Sequence, residues 1–204
     1  MKFTNLLLII IITLSSCNSK KNQSISSTES PPYKLIIDFS KKIRSNTSLV
    51  LDAYGINIGL HHGFNYKNGI GNLSASYYLK KSKSDEVTLE SARNLLVFLT
   101  ESFKEEILAN QEISQYLDPY QHLSDLMRIS IYFEDENRIE LGQGVSHIFF
   151  LRGEIKYEGY NISEYTGKFP ARGKHYIIHE EKYLDALDIV KKQGNLKCLS
   201  LNQK

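Results

Sequence analysis

One long apolar stripe restricts the fold more than any other feature. Between residues 88 and 110, Ala92, Leu95, Leu96, Leu99, Phe103 and Ile107 recur at three- and four-residue spacing. That spacing places them on one face of a helix. Val97 and Phe98 widen the face, while Glu101, Lys104, Glu105 and Glu106 fall mostly off it. Thr88 suits the N-cap and Glu90 the positive end of the dipole. A face this wide needs an apolar surface to cover it. Segments of period two on both sides supply one: 49–60, 70–80, 127–134, 145–151 and 154–160. In the third of these, Ile129, Ile131 and Phe133 point inward and Arg128, Ser130 and Tyr132 outward. The fifth has a polar outer row of Glu154, Lys156 and Glu158, and Arg152-Gly153 forms the turn before it. Gly55 interrupts the first segment and predicts a bulge or a bend there. Shorter helical patterns cover 33–45, 111–117 and 180–193, and 176–178 adds a short edge strand. Strands follow one another in runs, so the sheet should be mainly antiparallel. The expected class is α+β: a two-layer sandwich of about five strands with helices on one face.

The N-terminus carries a different signal. Lys2 precedes an apolar run, residues 6–14, broken only by Thr13. This run is too short to cross a bilayer as a helix, which takes about 20 residues, but it matches the core of an export signal. Leu14-Ser15-Ser16-Cys17 then places small residues before a cysteine. The segment resembles the lipobox of bacterial lipoproteins. That resemblance implies cleavage before Cys17 and acylation of its thiol, with chains such as palmitate held in a membrane. Two or more chains anchor stably, because each buried methylene contributes about 0.8 kcal/mol and one chain alone is marginal. The expected organisation is a signal peptide at 1–16, a lipidated cysteine and flexible tether at 17–32, and a single α+β domain at 33–204. The tether is polar and Ser-rich, ends in Pro31-Pro32, and would reach on the order of 20 Å. Lys20 and Lys21 next to the anchor fit contact with anionic headgroups and equally fit a solvated linker. Asn18 after the cysteine resembles the pattern of lipoproteins sorted to the outer membrane. The expected location is the cell membrane or outer membrane, after export.

Charge and cysteine content exclude several classes. The formal net charge is +2, and loss of Lys2 with the signal leaves +1, so no nucleic-acid partner is expected. With Cys17 acylated, Cys198 stands alone and cannot form an intramolecular disulfide. It has no base or orienting group nearby in sequence.

The remaining candidates for chemistry are incomplete. His61-His62 sits in a turn beside Gly63. His175 and His179 are four residues apart with Glu180 and Glu181 adjacent, but the H-E-x-x-H order is missing. At a strand-to-helix junction His179 reads as a capping or packing residue. The glycines at 55, 59, 63, 69 and 71 lack a following Gly-Lys-Ser/Thr, and Gly142-Gln143-Gly144 opens a strand, so neither forms a phosphate loop. Ser74, Ser76, Ser130 and Ser146 lie on strands outside any G-x-S-x-G elbow. No catalytic, metal-binding or cofactor-binding residue is assigned, and Cys17 is the one modified residue expected.

Thr88-Leu89-Glu90-Ser91-Ala92-Arg93, then Glu112-Ile113 with Tyr116-Leu117, then His179-Glu180-Glu181 with Tyr183 and Ala186-Leu187 together resemble a family of small uncharacterised bacterial proteins. Several of these carry lipoprotein signals. The resemblance implies no activity and no site residue. Two functions stay open. One is a non-catalytic envelope module that binds a protein, a peptidoglycan fragment or a lipid. The other is a small envelope enzyme, possibly metal-dependent, using His175, His179 and Glu180.

Overall fold

A computed structural model describes residues 30–57, 69–117, 122–161 and 174–194. The segments expected as export signal and tether, through residue 29 and including Cys17, lie outside the described residues, as do His61-His62 and Cys198. The elements are α1 (Pro31–Thr47), β1 (Val50–Asn57), β2 (Asn72–Lys80), α2 (Leu89–Ala109), α3 (Gln111–Ser114), α4 (Leu123–Leu126), β3 (Met127–Glu134), β4 (His147–Leu151), β5 (Glu154–Asn161), β6 (Lys174–Lys182) and α5 (Tyr183–Lys192).

The strands form one sheet in sequential order, β1 to β6. The β2–β3 pair is parallel and the other pairings are antiparallel. The parallel pair follows from connectivity: α2 spans the gap between these strands, and a crossover through a helix brings the chain back in the same direction. Leu73, Ala75, Tyr77, Ile129, Ile131, Phe133, Ile148, Phe150, Ile155 and Tyr157 point to one face. They form a single core with Leu35, Ile36, Phe39 and Ile43 of α1, the α2 stripe, and Tyr183, Ala186 and Val190 of α5. The class is therefore α+β with the helices on one face. The opposite, outer face of the sheet carries Arg128, Ser130, Tyr132, His147, Phe149, Lys156 and Glu158.

The α2 stripe is buried as its spacing requires: Ala92, Leu96, Leu99 and Ile107 are fully inaccessible. Thr88 caps it, its side chain accepting from the Ser91 N–H at 3.2 Å. Arg152 and Gly153 both take positive φ, 53° and 76°, as a two-residue hairpin turn demands.

Several boundaries differ from the sequence expectation. α1 starts at Pro31, with both prolines in its first turn, where the missing N–H groups would have had no partner. β1 passes straight through Gly55, and its irregularity lies between Leu51 and Ala53. The sheet has six strands, because β6 is a full edge strand running to Lys182, and the last helix starts at Tyr183 rather than at residue 180. Glu180 and Glu181 mimic a helix start in sequence. In the fold both lie on β6 and are paired from there: Glu180 reaches Lys156 of β5 across the ladder at 2.8 Å, and Glu181 reaches Arg93 of α2 at 2.8 Å.

Two glycines lie at close approaches, Gly144 against backbone and Gly159 against the tip of an exposed ring, and the first requires glycine. A side chain on Gly144 (φ 67°) would meet the Val87 carbonyl at 2.5 Å, where the Val145 N–H donates to that same oxygen. On β5, Gly159 lies under the ring of Tyr176 from β6, which would meet a Cβ at 2.4 Å.

Candidate functional site

The outer face gathers its chemistry at one end, where β3 and β5 finish and β4 and β6 begin. Strand register does the positioning. Tyr132 pairs across with His147, and His147 with Glu158. Tyr160, two residues past Glu158 on the same face, pairs with His175. The side chains therefore line up across four strands. The Tyr132 and His147 rings stack at 4.2 Å with planes 10° apart. The His147 and His175 rings lie 5.6 Å apart, and those of Tyr160 and His175 5.5 Å apart.

The connection between β3 and β4 completes the site. The Asp135 carboxylate accepts from the N–H groups of Asn137 and Ile139, at 2.8 and 3.0 Å. That tight turn doubles the chain back, so that Glu140 bridges to Glu134. Glu140 there meets Nε2 of His175 at 2.7 Å, and Glu158 meets Nδ1 of His147 at 2.8 Å. One ligand atom from each of His147, Glu158 and His175 lies within 4.8 Å of the other two.

His147 is 7% exposed although it belongs to the outer face. Burial pulls its imidazole below the ordinary histidine range, and His175 adds to that pull. Glu158 and Glu140 work against it without prevailing. A neutral His147 donates from Nδ1 to Glu158 and keeps a lone pair on Nε2. That Nε2 is buried and has no hydrogen-bond partner among the described residues. Buried polar atoms are normally paired, so the imidazole retains ligating capacity that the protein does not use.

The surroundings are rich in carboxylates. Tyr132 is pushed above its ordinary value by burial and then by Glu140, Glu158, Asp52 and Glu134. Burial also raises the Glu134 carboxyl, against the pull of Arg138. Arg138 is the countercharge at the rim: it reaches Asp52 and Glu134, each at 2.8 Å, and lies 3.8 Å over the Tyr78 ring. The site is thus one buried and one exposed imidazole beside carboxylates, an arrangement that favours a cation.

The residues singled out in the sequence are dispersed. His175 joins this site. His179 follows a register shift between Tyr157 and Glu158 and pairs with the inward-facing Tyr157, so it stands on the opposite face of the sheet. Its Nε2 is 3.8 Å from Glu181. Glu180 is on the outer face, but it is half exposed and engaged by Lys156. The three do not converge. Ser124 contacts His122 at 2.9 Å, but this is a contact between near neighbours, and Ser124 is buried. Sequence reasoning missed His147, Glu158 and Glu140. The signal of His147 and Glu158 is a polar residue at an outward position in each of two adjacent strands, and Glu140, in the connection between β3 and β4, has none.

No family model, no curated protein and no solved structure matches the chain.

Proposed function

We propose that this protein is a lipid-anchored module of the bacterial envelope that acts by binding, through the outer face of its sheet. Cys17 carries the acyl chains, residues 18–30 form the tether, and the folded domain presents its ligand face at the end of that tether. The observation that carries the binding reading is the His147 cluster. The outer layer holds a buried imidazole with an unused ring nitrogen, flanked by a second histidine and two carboxylates. A fold maintained by packing alone gains nothing from such a group, since an unpaired buried polar atom costs about 1–3 kcal/mol.

Binding is favoured over catalysis because the histidine–glutamate set at 175, 179 and 180 is split between the two faces of β6. The anchor rests on the Leu14-Ser15-Ser16-Cys17 segment.

The test has two arms. Metabolic labelling with a fatty acid should mark the wild-type chain and not Cys17→Ser, because the thioether requires sulfur. A photo-crosslinking residue at Phe149 or Lys156 on the outer face should give adducts with envelope components. The same residue at Leu108, exposed on α2, should give none. Label retained in Cys17→Ser removes the anchor, and adducts from position 108 alone remove the outer face as the binding surface.

A further inference from the structure

We propose that His147, His175 and Glu158 bind a zinc-class divalent metal ion, with Glu140 holding the His175 ring in place. This inference names the ligand of the outer-face site and rests on the binding reading above.

The donor set selects the metal. Two imidazoles and a carboxylate suit zinc and its neighbours, whereas calcium and magnesium prefer oxygen-only cages. In a tetrahedral zinc site with bonds of about 2.0–2.2 Å, ligand atoms stand roughly 3.3–3.6 Å apart. Here one ligand atom from each of the three residues lies within 4.8 Å of the others. The closest pair, His147 Nδ1 and Glu158 Oε2, is at 2.8 Å, a distance set by a shared proton. An ion of about the right size fits with side-chain adjustments of an ångström or so, on strands whose register already aligns them.

Two further observations point the same way, with Nδ1 as the His147 ligand atom: the metal replaces the proton between Nδ1 and Glu158, and the ring's remaining proton sits on Nε2. Glu140 accepts at 2.7 Å from Nε2 of His175, which leaves Nδ1 of that ring for a metal. A carboxylate behind a ligating histidine is the usual support of such a ligand, fixing tautomer and ring orientation. Asp52 and Glu134 add negative charge nearby, only partly offset by Arg138. With three protein ligands, a fourth position remains for water or for a group from a binding partner. That open position gives the outer face a way to hold a partner bearing a carboxylate or imidazole.

The test uses the full chain, extracted in detergent and stripped with a chelator. Calorimetric titration with Zn2+ should give one site per chain, and Mg2+ should give none. Co2+ in place of Zn2+ should produce the intense visible bands of a four-coordinate ion. His175→Gln, at a partly exposed position that the fold tolerates, should weaken Zn2+ binding at least 100-fold, and Glu158→Gln should also weaken it. Glu140→Gln should weaken it by about 10- to 100-fold, as expected for a supporting carboxylate. His179→Gln, on the other face, should bind like wild type. The proposal is overturned if wild type takes up no zinc. It is also overturned if His175→Gln and Glu158→Gln bind unchanged, or if His179→Gln loses as much as His175→Gln. Outer-face crosslinks without zinc uptake would remove this inference alone and leave the binding reading intact.

Discussion

Replacing Arg93 with Met should be among the most damaging changes that keep the apolar packing of α2. Arg93 donates from Nε to Glu181 at 2.8 Å, and the two side chains are 12% and 8% exposed. The other close donor to that carboxylate is the Tyr157 hydroxyl, at 2.6 Å. Methionine keeps much of the apolar stem but leaves a carboxylate buried without its countercharge. Stranding one partner of a buried pair costs about 3–5 kcal/mol, a large part of the roughly 5–15 kcal/mol that holds a domain together. Removing the charge as well should recover much of the loss, because Gln at 181 can still accept from Tyr157. The double variant Arg93→Met/Glu181→Gln should therefore be more stable than Arg93→Met alone. The coupling across the cycle should be about 1.5–3 kcal/mol, the upper part of the range for contacting residues. Urea unfolding of the chain from Ser30 onward, with the four proteins compared at equal m-value, measures it. A cost below about 1 kcal/mol for Arg93→Met, or strict additivity, would refute the claim that this pair ties the edge strand to the central helix.

Other outcomes follow from the core and its tyrosines. Leu96→Ala or Leu99→Ala, both at fully buried positions, should cost roughly 2–5 kcal/mol through lost transfer energy and a cavity, read by thermal melts. A change within about 0.5 kcal/mol would mean that the helix presents another face. Gly144→Ala should destabilise measurably, because it combines positive φ with a 2.5 Å approach to the Val87 carbonyl. Equal unfolding midpoints would contradict that. Burial pushes the Tyr77 hydroxyl up to about 12 from 10.0, with Ser40 opposing. The protonated phenol is therefore favoured in the folded state. Its contribution is intact below pH 10 and is lost as pH rises from 10 through about 12. Phenolate absorbance should rise together with loss of structure, and a Tyr77 that ionises near pH 10 in the folded chain would refute this.

The parts of the fold legible in the sequence are those where one face is buried and the other wet. The α2 stripe and the alternations of β3 and β5 read directly, because burial imposes a period on the residues. β6 did not read. Tyr176, Ile177 and Ile178 are all exposed on it, and the register shift opposite Tyr157 and Glu158 breaks any alternation. The candidate site was illegible for a related reason. His147 and Glu158 are 11 residues apart, and Glu140 and His175 are 35 apart. Only strand register and the turn at Asp135 bring these side chains together. A search along the chain finds His175 and His179 at helical spacing, but a strand with a register shift sends them to opposite faces.

The anchor proposed above holds this domain at a membrane through Cys17. Its most direct test is the intact mass of the protein extracted from the envelope, with fragmentation of its N-terminal peptide. A lipid-anchored protein gives a mature chain that starts at Cys17 and carries a diacylglyceryl group on the sulfur. A chain that retains residues 1–16, or one with a free thiol at Cys17, would contradict it.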